Sequence, residues 1–243
     1  MSGENEYMIE GKNILAIIPA RGGSKGLPEK NLKVLAGKPL ISWTIEQALA
    51  SRYLDKVIVS TDDEKIADVS KKCGAEVPFK RPVKYATDTA SSADVIIHAL
   101  DFFRDRGETY DYIALLEPTS PLRKKNDIDN GIKKLVGNPE KDTLVSVGVI
   151  HLEHPMIAKK VRDDIVVPYA DYPKIFQRQQ ADKAFFPYGV IYLSKTKTFY
   201  ETKTFYGERT LPLFIERWQN YEVDDIIDFI VIERIFQEYK ERF

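Results

Sequence analysis

The sequence predicts an α/β fold with a mainly parallel, doubly wound sheet. Short apolar runs typical of buried strands alternate with segments of helical apolar spacing between residues 14 and 149. The first run, residues 14–18, is apolar at every position, which suits a strand covered on both faces. In such a sheet ligands bind at the carboxyl ends of the strands. The 243 residues are enough for one main domain with a small excursion.

The individual elements follow from periodicity and from capping residues. Strands are predicted at residues 14–18, 56–60, 75–79, 112–116 and 144–149. Helices are predicted at residues 39–51, 64–73, 89–106 and 126–136, with Gly74 and Gly107 following the second and third. Residues 150–186 lose this regularity and are rich in aromatic residues, proline and charge, which indicates an interface. Strands at residues 189–193 and 213–215 and a final helix to about Arg242 complete the chain.

Composition limits the possible partners. The 36 lysines and arginines nearly balance the 37 acidic residues, so no basic field favours nucleic acid. No apolar run is long enough to cross a bilayer, and residues 1–13 are polar and lack the apolar core of a leader peptide, so we expect a flexible N-terminus and no membrane partner. A single cysteine, Cys73, rules out an internal disulfide and favours the cytoplasm.

The loop after the first strand has the composition of a phosphate-binding site. It contains three glycines and three cations, Gly22, Gly23, Gly26, Arg21, Lys25 and Lys30. The glycines should allow left-handed backbone conformations and close approach of a ligand, and the cations add positive charge. Neither G-x-G-x-x-G nor G-x-x-x-x-G-K-[ST] occurs here, so a dinucleotide site or P-loop is not favoured, and an ordinary strand-to-helix turn is the alternative.

Three motifs share an order and spacing with a known family. They are Ile-Pro-Ala-Arg-Gly-Gly-Ser-Lys-Gly at residues 18–26 followed by Lys30-Asn31, Arg81-Pro82 with Thr-Asp-Thr-Ala-Ser-Ser at 87–92, and Pro-Thr-Ser-Pro-Leu-Arg at 118–123. Over residues 14–236 the chain resembles the CMP-sialic acid synthetase (N-acylneuraminate cytidylyltransferase) family. The resemblance implies a Rossmann-like nucleotidyltransferase domain at residues 14–149 and 186–243. It also implies a homodimer, with residues 150–185 as a dimerisation excursion that reaches the partner's active site.

The activity that the resemblance implies is transfer of CMP from CTP to the anomeric hydroxyl of a sialic-acid-like 2-keto-3-deoxy sugar acid, with Mg²⁺ and release of pyrophosphate. The implied nucleotide contacts are Ala20, Arg21, Gly22, Gly23, Ser24, Lys25, Asn31, Arg81 and Ser92. We assign catalytic roles to Arg21, Lys25 and Asp224, because phosphoryl-type transfer needs cations on the triphosphate and carboxylates for the metal. Without the resemblance, Arg81 is equally well read as a solvated loop arginine.

The predicted metal ligands are Glu222 and Asp224. They lie two residues apart on a segment read as extended, which would point both carboxylates to one face. The family has Asp-x-Asp here, so Glu222 lengthens one arm, and Asp224 is the safer ligand. The alternative is that Asp224 or Asp225 only caps the last helix.

The sugar side departs from the family at three positions. Glu117 stands where the family has Gln, Tyr188 replaces Asn before Gly189, and Ile157 replaces a lysine. The predicted sugar contacts are Glu117, Thr119, Ser120, Arg178, Tyr188 and Tyr192. Arg178 matches the arginine that contacts the sugar in the family and can grip a carboxylate in bidentate fashion, although an interface salt bridge is the alternative.

These departures leave the acceptor open. An eight-carbon acid such as KDO, or a legionaminic- or pseudaminic-type sugar, would keep the reaction and change the acceptor. A nucleotide-binding homologue without turnover is a reading from a different class.

Overall fold

The computed structural model describes residue 9, residues 11–171 and residues 182–242. Its strands in chain order are β1 Ile14–Pro19, β2 Val34–Leu35, β3 Lys38–Pro39, β4 Lys56–Ser60, β5 Tyr112–Leu115, β6 Thr143–Val149, β7 Lys159–Arg162, β8 Ile165–Pro168, β9 Phe185–Lys195 and β10 Thr210–Phe214. The α-helices are α1 Leu40–Leu49, α2 Glu64–Lys72, α3 Ser92–Arg104, α4 Asp127–Val136, α5 Thr196–Thr202 and α6 Ile226–Glu238. No helix among these residues is long and apolar enough to cross a bilayer.

The central sheet has the strand order β10-β6-β9-β5-β1-β4. The pairs β1 with β4, β1 with β5, and β6 with β10 are parallel. β9 runs antiparallel to both of its neighbours, β5 and β6. The prediction of a mainly parallel sheet is therefore confirmed, and the antiparallel β9 brings its early residues to the edge where the parallel strands end.

Helices cover both faces of this sheet because the strands are apolar on both sides. Along β1, Ile14, Ala16 and Ile18 face a core that contains apolar residues of α1, α2 and α4. Leu15 and Ile17 face a second core with α3 and α5. This alternation confirms the doubly wound arrangement read from the unbroken apolar run.

A third apolar cluster positions the loops above the sheet. It joins Leu27 of the glycine loop and Val223 to α6 through Phe229 and Ile232. Leu27 and Val223 are 6% and 1% exposed, so their burial in this cluster fixes the two segments that contain them. The glycine loop and residues 222–225 are thereby held over the same end of the sheet.

The predicted strand at residues 75–79 is wrong. Glu76 forms only an isolated parallel bridge to Ile58, through its N–H to Val57 O at 3.1 Å and its carbonyl to Val59 N at 2.8 Å. Pro78 has no N–H to continue the ladder, so the segment leaves the sheet until Lys80 bridges Thr61. The local sequence resembles a strand, but its proline limits it to two contacts.

Residues 150–171 are more regular than predicted. A 3₁₀ helix, Pro155–Ile157, precedes the antiparallel hairpin of β7 and β8. The hairpin turns at Asp163 and Asp164, whose φ angles of 49° and 61° are left-handed. Aspartate tolerates this conformation without glycine, which explains why the turn escaped the sequence analysis. Residues 172–181, with the predicted sugar contact Arg178, lie outside the described residues.

Several boundaries also differ, among them β10, which spans Thr210–Phe214 instead of residues 213–215. β9 begins at Phe185, where it pairs with Val149, rather than at residue 189. The final α-helix ends at Glu238, and a 3₁₀ turn, Lys240–Arg242, takes the place of its predicted last residues.

Candidate active site

A cavity of about 520 Å³ opens at the carboxyl ends of β1, β4 and β5. Its wall includes residues from the glycine loop, the loop before α3, the loop after β5 and the segment before α6. These are Pro19, Arg21, Ser24, Lys25, Gly26, Lys30, Asn31, Arg81, Tyr85, Thr87, Asp88, Ala90, Ser92, Val95, Glu117, Pro118, Thr119 and Asp224. The cavity occupies the position where ligands bind in open α/β sheets.

The glycine loop is fixed by hydrogen bonds from both sides. The Gly22 N–H donates to Asp62 Oδ1 at 3.1 Å, and Asn31 Nδ2 donates to Arg21 O at 3.2 Å. The left-handed glycines of the described chain are Gly11, Gly37, Gly74 and Gly107, so the expected conformational reason for the loop glycines is wrong.

Space explains two of these glycines instead. A Cβ on Gly26 would lie 2.6 Å from Asp224 O, and one on Gly22 would lie 2.7 Å from Asp63 Oδ2. Gly23, in contrast, faces open space. Gly26 therefore lets the loop touch the backbone of the acidic segment before α6.

Arg21 and Lys25 both point at one carboxylate. Arg21 Nη1 lies 2.7 Å from Asp88 Oδ1, and Lys25 Nζ lies 2.5 Å from Asp88 Oδ2. The hydrogen bond from Lys25 and, to a smaller extent, the one from Arg21 lower the pKa of Asp88. Asp88 lies in one of the three shared motifs, but no role was predicted for it. Its signal was its position in a loop at a strand end.

Arg81 is buried rather than solvated. Its side chain is 4% exposed, its Nε donates to Ser60 Oγ at 3.0 Å, and its guanidinium also reaches Ser60 O. Burial lowers the pKa of Arg81 to about 10. The alternative of a loop arginine in solvent is thus wrong, and Arg81 fastens the loop before α3 to the end of β4. Ser92 lies on the cavity wall at the start of α3, which Ser91 caps.

The three acidic residues before α6, Glu222, Asp224 and Asp225, have different roles. Asp225 caps the helix, since its Oδ1 accepts hydrogen bonds from Ile227 N at 2.7 Å and Asp228 N at 3.1 Å. Asp224 is left with a side chain that is 93% exposed and lies on the cavity wall, 3.4 Å from Lys30 Nζ. Lys30 also donates to Val223 O at 2.9 Å and so fixes this backbone. The capping alternative holds for Asp225, and Asp224 remains available to a ligand.

One carboxylate oxygen of Glu222 is engaged by hydrogen bonds within the protein. Its Oε1 accepts hydrogen bonds from Ser120 Oγ and from the Gly189 N–H. It therefore joins the loop after β5 to β9. The described residues contain no cluster of three or more His, Cys, Asp or Glu side chains that could hold a metal by themselves. Asp224 still fits Mg²⁺, which is commonly bound by one or two carboxylates together with substrate phosphates.

Glu117 faces the cavity beside Glu222. Burial and the Glu222 charge raise the pKa of Glu117 to about 7, although Arg123 and Lys30 oppose the shift. Burial and the neighbouring Glu117 raise the pKa of Tyr192. The Glu117 carboxylate packs so closely on Gly189 that a Cβ there would overlap it. Glycine at position 189 thus allows an acidic side chain at position 117.

Arg123 organises the loop after β5, and the sequence analysis missed this role. It is completely buried and donates to five acceptors: Val190 O at 2.5 Å, Glu117 O at 2.7 Å, Gly189 O at 2.8 Å, Thr44 Oγ1 at 2.8 Å and Gln47 Oε1 at 3.3 Å. Burial lowers its pKa to about 10. A loop with two prolines has carbonyls that need outside donors, and that was the available signal.

The structure brings most, but not all, of the predicted site residues to one cavity. On the wall lie Arg21, Ser24, Lys25, Asn31, Arg81, Ser92, Glu117, Thr119 and Asp224. Outside the wall lie Ala20, Gly22, Gly23, Ser120, Tyr188, Tyr192 and Glu222. Tyr188 packs edge-on against Phe186, with ring centroids 5.2 Å apart. The nucleotide and sugar roles of all these residues stay predictions.

Comparison with known proteins agrees with this geometry. The chain is 36% identical over 237 residues to CMP-N,N'-diacetyllegionaminic acid synthase of Legionella pneumophila, covering 94% of this chain and 98% of the relative. It is 36% identical over 217 residues to N-acylneuraminate cytidylyltransferase of Escherichia coli, covering 89% of this chain but only 50% of that longer relative. The fold matches a CMP:2-keto-3-deoxy-manno-octonic acid synthetase solved with CTP, with a TM-score of 0.68, 18% identity and coverage of 93% and 99% of the two chains.

A family model described as cytidylyltransferase matches residues 15–241, which is nearly the whole chain. The match includes every loop that builds the cavity, from Arg21 to Asp224. The chain therefore belongs to the cytidylyltransferase family.

Proposed function

We propose that this protein transfers CMP from CTP to the anomeric hydroxyl of a sialic-acid-like 2-keto-3-deoxy sugar acid and releases pyrophosphate. The observation that carries the proposal is the cavity at the carboxyl ends of β1, β4 and β5, whose wall contains two cations and an exposed carboxylate. Arg21 and Lys25 supply the positive charge, and Asp224 supplies the carboxylate. Relatives that share about a third of the sequence bear the names of enzymes with such acceptors.

Phosphoryl-type transfer depends on positioning and on neutralising charge. In the proposed reaction the sugar hydroxyl loses its proton to solvent as its oxygen forms a bond to the α-phosphorus. The bond from that phosphorus to the pyrophosphate oxygen breaks, and pyrophosphate leaves with the electron pair. Arg21, Lys25 and the backbone of the glycine loop bind the triphosphate and hold the leaving pyrophosphate. Asn31, Arg81 and Ser92 line the wall beside them and are proposed to contact the nucleotide.

Magnesium is the proposed metal. When bound, it would neutralise the charge of the triphosphate and of the departing pyrophosphate. Asp224 would hold it, because its carboxylate is exposed on the cavity wall while Asp225 takes the capping role. Glu222 is a second proposed ligand and would use Oε2, since its Oε1 already accepts two hydrogen bonds.

The acceptor is proposed to present a hydrogen-bond donor to Glu117. When ionised, a carboxylate only accepts hydrogen bonds, so a hydroxyl or an amide N–H suits this position and a sugar carboxylate does not. A legionaminic-type sugar is the first candidate, because the relative with nearly full mutual coverage bears that name. N-acetylneuraminic acid, pseudaminic acid and KDO are the other acceptors to compare.

A homodimer is proposed from the apolar surface of the β7–β8 hairpin. Val161, Ile165 and Val166 are each more than 60% exposed there. Exposed apolar residues grouped on one element mark interaction surfaces. Sedimentation of the wild type against a Val161→Glu, Val166→Glu double variant tests this, and a monomeric wild type would overturn it.

The free Cys73 is compatible with the cytoplasm as the proposed place of action.

The reaction is tested by incubating the protein with CTP, Mg²⁺ and each of the four sugar acids. Pyrophosphate release is measured, and the CMP conjugate is identified by mass. The proposal is refuted if none of the four sugar acids leads to pyrophosphate release. Tight CTP binding without turnover, unchanged in the Glu117→Gln, Tyr188→Asn, Glu222→Asp triple variant, would instead favour a nucleotide-binding homologue.

A further inference from the structure

The two cations of the glycine loop are engaged by the protein's own anion. Asp88 places one carboxylate oxygen 2.7 Å from Arg21 Nη1 and the other 2.5 Å from Lys25 Nζ. Asp88 lies on the cavity wall with both of them, in the turn between Arg81 and the start of α3. A carboxylate that bridges two cations has the same acceptor chemistry as a phosphate group with two of its oxygens engaged.

Asp88 is free to leave this position. Its side chain is 42% exposed, and those of Arg21 and Lys25 are 33% and 81% exposed. Among the described residues, the ion pairs of its carboxylate are these two. Asp88 lies in a turn that belongs to no helix or strand. In this turn the Ala90 N–H donates to Thr87 O at 3.3 Å. Solvent can therefore replace the cations around Asp88 without disturbing the core.

We propose that Asp88 is an internal competitor of the triphosphate: it holds Arg21 and Lys25 in place when no polyphosphate is bound and must be displaced when one binds. This inference rests on the proposed function, because it concerns the same two cations. It assigns Asp88 a positioning role. A ligand with β- and γ-phosphates offers enough charge to take both cations, whereas CMP, which lacks these groups, leaves Asp88 where it is.

The size of the effect follows from the exposure of the two pairs. Partly exposed ion pairs contribute little each, and displacing two of them should weaken polyphosphate binding about five- to thirtyfold. Removing the Asp88 charge also removes its repulsion of the bound phosphates, which acts in the same direction. Asparagine keeps the shape of the side chain and removes the charge.

The test measures dissociation constants by calorimetry in EDTA, so that no metal takes part. The probes are CTP, inorganic tripolyphosphate and CMP. We expect Asp88→Asn to bind CTP and tripolyphosphate about five- to thirtyfold more tightly than the wild type, with CMP changed less than about twofold. Asp88→Ser, which also removes the charge, should behave in the same way and gives a second reading if the asparagine variant folds poorly.

Glu64→Gln is the matched control, because Glu64 is an exposed carboxylate at the start of α2, on the same edge of the sheet, and pairs with Lys80 instead. The proposal is overturned if polyphosphate affinity in Asp88→Asn is unchanged or weaker, if CMP gains equally, or if Glu64→Gln gives the same increase. Tripolyphosphate separates this outcome from the proposed function: tighter tripolyphosphate binding without any CMP transfer would refute the proposed function alone. Transfer with no affinity contrast would refute the Asp88 role alone.

Discussion

The enclosed glutamate at position 117 makes folding depend on pH, and Glu117→Gln should remove that dependence. In the folded protein, burial and the Glu222 charge raise the pKa of Glu117 from its ordinary 4.5 to about 7. A carboxyl group whose pKa is raised on folding stabilises the protein fully below its unfolded pKa, and this contribution is lost as the pH rises through the folded value. Glutamine has nearly the same shape and does not titrate.

The magnitude follows from these two pKa values. Each pH unit between 4.5 and about 7 is worth about 1.36 kcal/mol of linkage, so ionising Glu117 costs the folded state about 3 kcal/mol in full. At pH 5 most of that cost has not yet appeared, and at pH 8 all of it has. Glu117→Gln should therefore raise the free energy of unfolding, relative to the wild type, by about 2.5 kcal/mol more at pH 8 than at pH 5.

Urea denaturation of both proteins at pH 5 and pH 8, in EDTA, measures this contrast. Glu108→Gln is the control: a hydrogen bond from Lys56 lowers the pKa of Glu108, so that group is ionised at both pH values. Its replacement should change stability by the same amount at each pH. A pH contrast for Glu117→Gln below about 1 kcal/mol, or one as large for Glu108→Gln, would refute the enclosed, charge-coupled description of Glu117.

Three further predictions concern the rest of the site. Lys25→Ala should lower CMP transfer about a hundredfold or more, because one donor to the charge of the transition state is lost. If a pyrophosphate assay shows a fall of less than about fivefold, the loop has only a structural role. Gly26→Ala places a Cβ 2.6 Å from Asp224 O and should lower transfer more than about tenfold. Gly207→Ala, outside the cavity wall, places a Cβ in open space and should retain transfer, and equal rates for the two variants would contradict the packing argument. Arg123→Ala leaves buried carbonyls without donors and should lower the free energy of unfolding in urea by about 3 kcal/mol or more. A decrease below about 1 kcal/mol would contradict the role of Arg123 in organising the loop after β5.

Elements whose signal is local could be predicted from the sequence. β1 and β4 follow from apolar runs, and Asp63, Ser91 and Asp225 cap helices as short polar residues do. The segment at residues 75–79 shows the limit of such signals, because its apolar residues look like a strand until Pro78 restricts its pairing. The β7–β8 hairpin was missed for the converse reason, since two aspartates adopt a turn conformation usually marked by glycine or asparagine.

The site divides along the same line. Arg21 and Lys25 of the glycine loop lie only four residues apart in the sequence, so their shared positive charge could be predicted from it. Their partner Asp88 is far away along the chain, and only the folded loops show that it bridges Arg21 and Lys25. Arg123 was equally hidden, because its acceptors come from three separate segments. Spacing in the sequence identifies groups on one loop, while contacts between loops depend on the tertiary fold.

The two acidic departures from the family, Glu117 and Glu222, belong to one arrangement. The longer arm at Glu222 reaches Ser120 and the Gly189 N–H, which ties the loop after β5 to β9. Its charge then acts on Glu117, whose carboxylate fits only because position 189 has no Cβ. A change at either glutamate therefore alters the charge or the position of the other. Arg21 and Lys25, the cations proposed to bind the triphosphate, are held by a different carboxylate, Asp88, so a change at Glu117 or Glu222 need not alter their ion pairs.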